Sequence, residues 1–152
     1  MDIENEVRST VSLELAKKVV LNISFTRNIL HDGFHDILKP FDISSEQYNV
    51  LRILRGQKGA PINMCDIQVR MIAKNSNTTR LIDKLLFKNM VTRNECPENR
   101  RKIEILITEK GLSTLATLDP IIVAYENNFA ANLSEHDLLV LNNLLEKYRI
   151  TK

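Results

Sequence analysis

Three groups of residues have the types and spacing to do chemistry. The first is Lys74-Asn75-Ser76-Asn77-Thr78-Thr79-Arg80, which sets amides, hydroxyls and a guanidinium just ahead of the apolar stripe Leu81, Ile82, Leu85 and Leu86. That stripe has helical spacing, so the polar residues fall on the first turn of a helix. A helix in the major groove of B-DNA meets base edges with its N-terminal residues. Asn77 there can pair with adenine, Arg80 with guanine, and a methyl of Thr78 or Thr79 can touch that of thymine. Ser76 and the helix-start amides suit phosphate oxygens, and Lys84, one turn beyond Arg80, reaches the backbone. The second group is Arg100-Arg101-Lys102, at the tip of an expected hairpin, where it suits the narrow minor groove of an A·T tract. Lys74 and Arg93 complete this cationic set. The third group is His31 and His35, at i and i+4 with Asp32 and Asp36 beside them, which is metal-ligand spacing. No third ligand is fixed, since His136 and Cys65 are remote in sequence, so neither a metal nor any other cofactor is expected.

The charge distribution favours the first reading. The 152 residues carry a net charge of only +2, yet residues 60 to 110 hold ten Lys and Arg against six Asp and Glu, while the flanks are neutral and acidic. A basic segment between neutral and acidic ones implies a local polyanion-binding module. Enzyme chemistry finds little support: there is no Gly-rich phosphate loop or nucleophile elbow, and no histidine has a triad context. The longest uncharged runs are eight residues, far below the roughly 20 that a membrane helix needs. The acidic start Met1-Asp2-Ile3-Glu4 is unlike a signal peptide, so the chain is expected in the cytoplasm, with Cys65 and Cys96 as thiols rather than a disulfide.

Elements must position these groups. Apolar residues from Val7 to Ile37 recur at threes, fours and sevens, which predicts one long helix over about residues 6–38, ended by Lys39-Pro40. Its apolar stripe is too long to be buried within one small domain, which implies partner helices or a second chain. Ser44 and Gln47 form a capping box for a helix to about Arg55. Gly56 and Gly59-Ala60-Pro61 break it, and a short helix follows from Met64 to Val69. The polar-start helix then ends near Lys88, with Asn89 suited to a left-handed terminating position. Val91–Arg93 and Lys102–Ile107 predict a two-stranded hairpin around the polar turn 94–101. Thr108 caps a helix to about Ala131 that Pro120 should kink or interrupt, and Ser134 caps a last helix. The fold class is mainly α, with a small β-hairpin wing following a helix-turn-helix.

Four short stretches in order resemble the MarR family of winged helix-turn-helix regulators. They are Thr79–Leu85, Lys88–Arg93, Pro97–Arg101 and Leu106–Gly111, within a region of about residues 43 to 113. The resemblance implies one MarR-like domain: a DNA-binding lobe at about 43–108, and dimerisation helices at about 6–38 and 109–150. It implies a homodimer acting on double-stranded DNA, most simply a repressor of a pseudo-palindromic operator. It also implies a cleft for a small-molecule effector, for which His31, Phe34, His35 and Tyr48 are the candidate lining. Two departures stand out: Asn99 replaces the usual wing Asp, and Asn89 the usual Gly. The alternative is an interaction module or small-molecule or metal sensor whose winged lobe does not read DNA.

Overall fold

The computed structural model describes residues 2–96 and 99–150, with the backbone alone at 96 and 99–102. In chain order the elements are α1 (Ile3–Glu6), α2 (Leu15–Leu38), α3 (Ser45–Arg55), β1 (Ile62–Asn63), α4 (Met64–Arg70), α5 (Thr78–Phe87), β2 (Val91–Cys96), β3 (Asn99–Ile107), α6 (Glu109–Ala130) and α7 (Glu135–Tyr148), with a 3-10 turn at Lys39–Phe41. The core lies in the middle of the chain, where Leu51, Leu54, Ile67, Ile82, Leu85 and Ile105 from α3, α4, α5 and β3, and Met71 just after α4, are buried together with Leu115 and Leu118 of α6.

The expected boundaries hold where a local signal sets them. The Ser44–Gln47 capping box is formed in both directions. Asn77, Thr108 and Ser134 each accept an amide hydrogen bond at a helix start. Asn89 takes the left-handed conformation, φ 57°, while its N–H donates to the Leu86 carbonyl and that of Met90 to Leu85, the paired hydrogen bonds of a Schellman ending.

Three expectations are corrected. The N-terminal helix does not run from residue 6 to 38: α1 stops at Glu6, Arg8 turns left-handed at φ 50°, and α2 starts only at Leu15. Ser9-Thr10-Val11-Ser12 is a poor helix-forming run. The Glu4 carboxylate instead accepts the Leu13 N–H at 2.6 Å and Lys18 Nζ at 2.9 Å, holding a turn in place of a helix. The hairpin is not two-stranded either. Ile62 and Asn63 pair antiparallel with Ile105 and Glu104, giving a three-stranded sheet in the order β1-β3-β2. The connecting turn is shorter than expected, since β2 continues through Cys96 and β3 resumes at Asn99. Finally, of the two outcomes expected at Pro120, interruption does not occur: α6 runs through it as one helix. Burial of Leu115 and Leu118 before the proline and of Ile122 after it holds one helix across the missing amide donor.

The lobe is tied to α6 by an ion pair between elements far apart in sequence. Arg55, the last residue of α3, donates to both carboxylate oxygens of Asp119 at 2.7 and 3.0 Å. The hydrogen-bonded guanidinium holds the Asp119 carboxyl below its usual range. A depressed carboxyl stabilises the fold above its unfolded pKa, and that stability is lost as pH falls through the lower folded value. Asp119→Asn is therefore expected to cost about 0.5–1 kcal/mol near neutral pH, modest because the pair is partly exposed. Denaturation of both proteins across the acid range should show the difference vanishing as the wild-type carboxylate protonates.

Candidate nucleic-acid interface

The central element is α5, placed by contacts at both ends. At its start, Asn77 Oδ1 accepts the Arg80 N–H at 3.0 Å. The preceding turn is knit internally: Gln68 Nε2 donates to the Lys74 carbonyl at 2.7 Å, Lys74 Nζ to that of Val69 at 2.6 Å, and Asn49 Oδ1 accepts the Ile72 N–H at 2.9 Å. At its end, the first turn of α6 docks on three successive carbonyls. Lys110 Nζ donates to that of Lys88 at 2.8 Å, Thr108 Oγ1 to that of Asn89 at 2.8 Å, and the Thr108 N–H to that of Met90 at 3.1 Å. The stretch Thr108-Glu109-Lys110-Gly111 thus closes the ending of α5 as well as starting α6. With both ends held and Ile82 and Leu85 buried, α5 presents Thr79, Arg80, Asp83, Lys84 and Phe87 to solvent.

Thr79, Arg80 and Lys84 therefore stand on the outward face. Thr78 does not: it is 4% exposed, and its hydroxyl donates to Gln68 Oε1 inside the turn. As the first helical residue it turns inward against α4, so its methyl is not offered to a thymine. Asn77 is exposed, with its carbonyl oxygen engaged in the cap. Ser76 Oγ donates to the Ala73 carbonyl, so Ser76 and Lys74 shape the turn with the groups expected to meet phosphate. Arg93 Nη1 lies 3.4 Å from Asp83 Oδ1, which links β2 to the outward face of α5. Arg100, Arg101 and Lys102 lie on β3, but their side chains fall outside the described residues, as do Pro97 and Glu98 entirely.

The candidate cleft residues separate. Phe34 and Tyr48 meet edge to face, ring centres 5.3 Å apart, with the Arg52 guanidinium 5.9 Å from the Tyr48 ring. Tyr48 is buried in the core, and that burial raises its phenol pKa. His31 and His35 stay exposed on α2, with His31 Nδ1 3.4 Å from the neighbouring Asp32. No group of three His, Cys, Asp or Glu side chains comes together among the described residues. Cys65 is an exposed thiol on α4. No described helix is long and apolar enough to cross a membrane.

Gln68, Asn49 and Lys110 are positioning residues that the sequence reading did not single out. Gln68 and Asn49 lie on helices with no local signal for a role across the turn, while Lys110 falls within the family-like stretch Leu106–Gly111.

The region built around α5, residues 43–103, matches the family model described as the MarR family. The chain carries a MarR-family domain. Members of that family are transcription regulators rather than enzymes. Over 134 residues it is 22% identical to the HTH-type transcriptional regulator MhqR of Bacillus subtilis, covering 88% of this chain and 91% of that one. A second relative, from Thauera aromatica and named for regulation of its hcr operon, is 23% identical over 66% of this chain, which spans only 59% of that protein's length. Among solved structures, a MarR transcription factor from Planctomyces limnophilus superposes with a TM-score of 0.69 at 29% identity, covering 90% of this chain and 98% of that one. A cysteine-to-serine mutant of MarR from E. coli, crystallised with operator DNA, superposes with a TM-score of 0.76 at 20% identity, covering 91% and 100%. The winged lobe and the long flanking helices of this chain thus share one architecture with those proteins.

Proposed function

We propose that the protein is a dimeric repressor of a pseudo-palindromic operator. In this reading α5 enters the major groove, the β2–β3 wing reaches the adjacent minor groove through Arg100, Arg101 and Lys102, and a small molecule bound between the lobe and the flanking helices releases the complex. The observation that carries it is the outward face of α5, where Arg80 and Lys84 stand exposed on a helix anchored at both ends. Anchoring matters because base readout requires donors held in register with base edges. The dimer is supported by apolar surface that one chain leaves open: α7 has no buried residue, and Leu139, Leu141, Leu144, Leu145 and Tyr148 are all exposed. A two-fold dimer would set its α5 helices about one DNA turn, roughly 34 Å, apart. Phe34 and Tyr48, with Arg52 over the ring, supply an aromatic wall where α2 meets α3, and a ligand wedged there would alter the lobe spacing.

The test is a fluorescence anisotropy titration with the DNA upstream of the protein's own gene against shuffled DNA, at several salt concentrations. Expected are a steep salt slope and a clear preference for the upstream DNA; salt-insensitive or absent binding to both would overturn the reading. Within that assay, Arg80→Ala should weaken binding and relax preference at particular base pairs, at about 1–3 kcal/mol each, whereas Arg100→Ala or Arg101→Ala should weaken operator and shuffled DNA alike. Asn77 needs a pair of variants because it also caps α5. Asn77→Ser keeps a capping oxygen and removes only the amide donor, while Asn77→Ala is expected to add about 1 kcal/mol of lost stability.

A further inference from the structure

Phe87 is the last residue of α5 and is 88% exposed. It follows Arg80 by seven residues and Lys84 by three, so the three side chains share one helical face, with Phe87 about 10 Å along the axis from Arg80. With Asp42, Asp83 and Lys88 they line a shallow open groove of about 480 Å³. Both of its carboxylates already have cationic partners: Lys88 Nζ, in the groove, sits 3.1 Å from Asp42 Oδ2, and Arg93, on β2 outside it, lies 3.4 Å from Asp83. Among the described residues Arg80 and Lys84 make no ion pair.

The groove therefore presents a phenyl ring beside two uncompensated cations. A protein partner covering that ring would have to desolvate both cations, whereas a polyanion with apolar points on its surface satisfies ring and cations together. The thymine C5 methyl in the major groove is such a point, and phenylalanine is one of the side chains that contact it.

We propose that Phe87 is a specificity-determining residue, packing against the methyl of a thymine about three base steps from the pair read by Arg80. This rests on the DNA-binding reading above and goes beyond it by assigning base preference to the C-terminal end of α5. Losing one methyl contact corresponds to about fourfold in affinity.

The test starts from duplexes that the wild-type protein selects out of a random library. Each thymine is replaced in turn by deoxyuridine, which removes only the methyl, and binding is measured for wild type, Phe87→Leu and Phe87→Ala. Expected is one thymine whose methyl is worth about fourfold to the wild type, less to Phe87→Leu and nothing to Phe87→Ala, with the salt slope unchanged in all three. Because the ring is exposed, both variants should melt as the wild type does. Retention by Phe87→Ala of the same methyl dependence at every position overturns the proposal, as does a variant that changes only self-association, while the DNA-binding reading stands. If the wild type selects no sequence, that reading fails first and takes this one with it.

Discussion

Gly111→Ala is expected to destabilise the protein by about 2–3 kcal/mol, lowering its melting temperature by roughly 5–10 °C. Elsewhere in a helix the same change is mildly stabilising, because alanine loses less backbone entropy than glycine. The sign reverses here because Gly111 is buried in the first turn of α6, where a Cβ would stand 2.5 Å from the Met90 carbonyl oxygen and 2.7 Å from Ile107 Cγ1. The obstacle is backbone that cannot rotate away. Moving it would pull the Thr108 N–H from the Met90 carbonyl and disturb the other two hydrogen bonds that close the end of α5. Calorimetry of the two proteins checks the effect. Gly33→Ala is the control, since the added Cβ would meet the tip of the Tyr125 side chain, whose hydroxyl donates to the Leu30 carbonyl and can swing aside. An unchanged melting temperature for Gly111→Ala would mean that α6 starts without touching the 88–90 turn.

The second large effect is on DNA binding. In the proposed dimer, Leu141→Glu with Leu145→Glu puts two carboxylates on the apolar face of α7 and should leave a folded monomer, because neither leucine is buried within one chain. Losing bivalent engagement of two half-sites is then expected to weaken operator binding by about 10²–10⁴-fold with α5 untouched. Sedimentation measures the mass and anisotropy the affinity. A variant that stays dimeric with unchanged affinity would place the subunit contact elsewhere.

The readable features were those with a short-range cause. Asn77, Thr108 and Ser134 cap because a short polar side chain reaches an amide two or three residues on, and Asn89 ends α5 because its side chain tolerates the left-handed region. The alternation of Ile103, Ile105 and Ile107 marked β3 for the same reason, since period two is a property of the strand itself. The N-terminal stretch misled because Val7, Val11 and Leu15 keep a helical spacing that says nothing of the Glu4 carboxylate reaching Leu13 and Lys18. In β1, two residues are too few to carry any period.

Sequence by itself determined the order of the helices from α3 to α7, the caps of α3, α5, α6 and α7, the basic middle third and the identity of the polar first turn of α5, because each cap and turn depends on residues within about one helical turn of one another. Only the tertiary structure decided which of those polar groups face outward. Thr78 and Thr79 are adjacent and chemically identical, yet one is folded onto Gln68 and the other is exposed. Docking of α6 on the 88–90 carbonyls, the Arg55–Asp119 pair and the exposure of Phe87 likewise depend on elements distant in the chain. Hydrophobic spacing specifies which face of a helix is buried, but the neighbour that buries it, and so the direction of the remaining face, is set by packing of the whole chain.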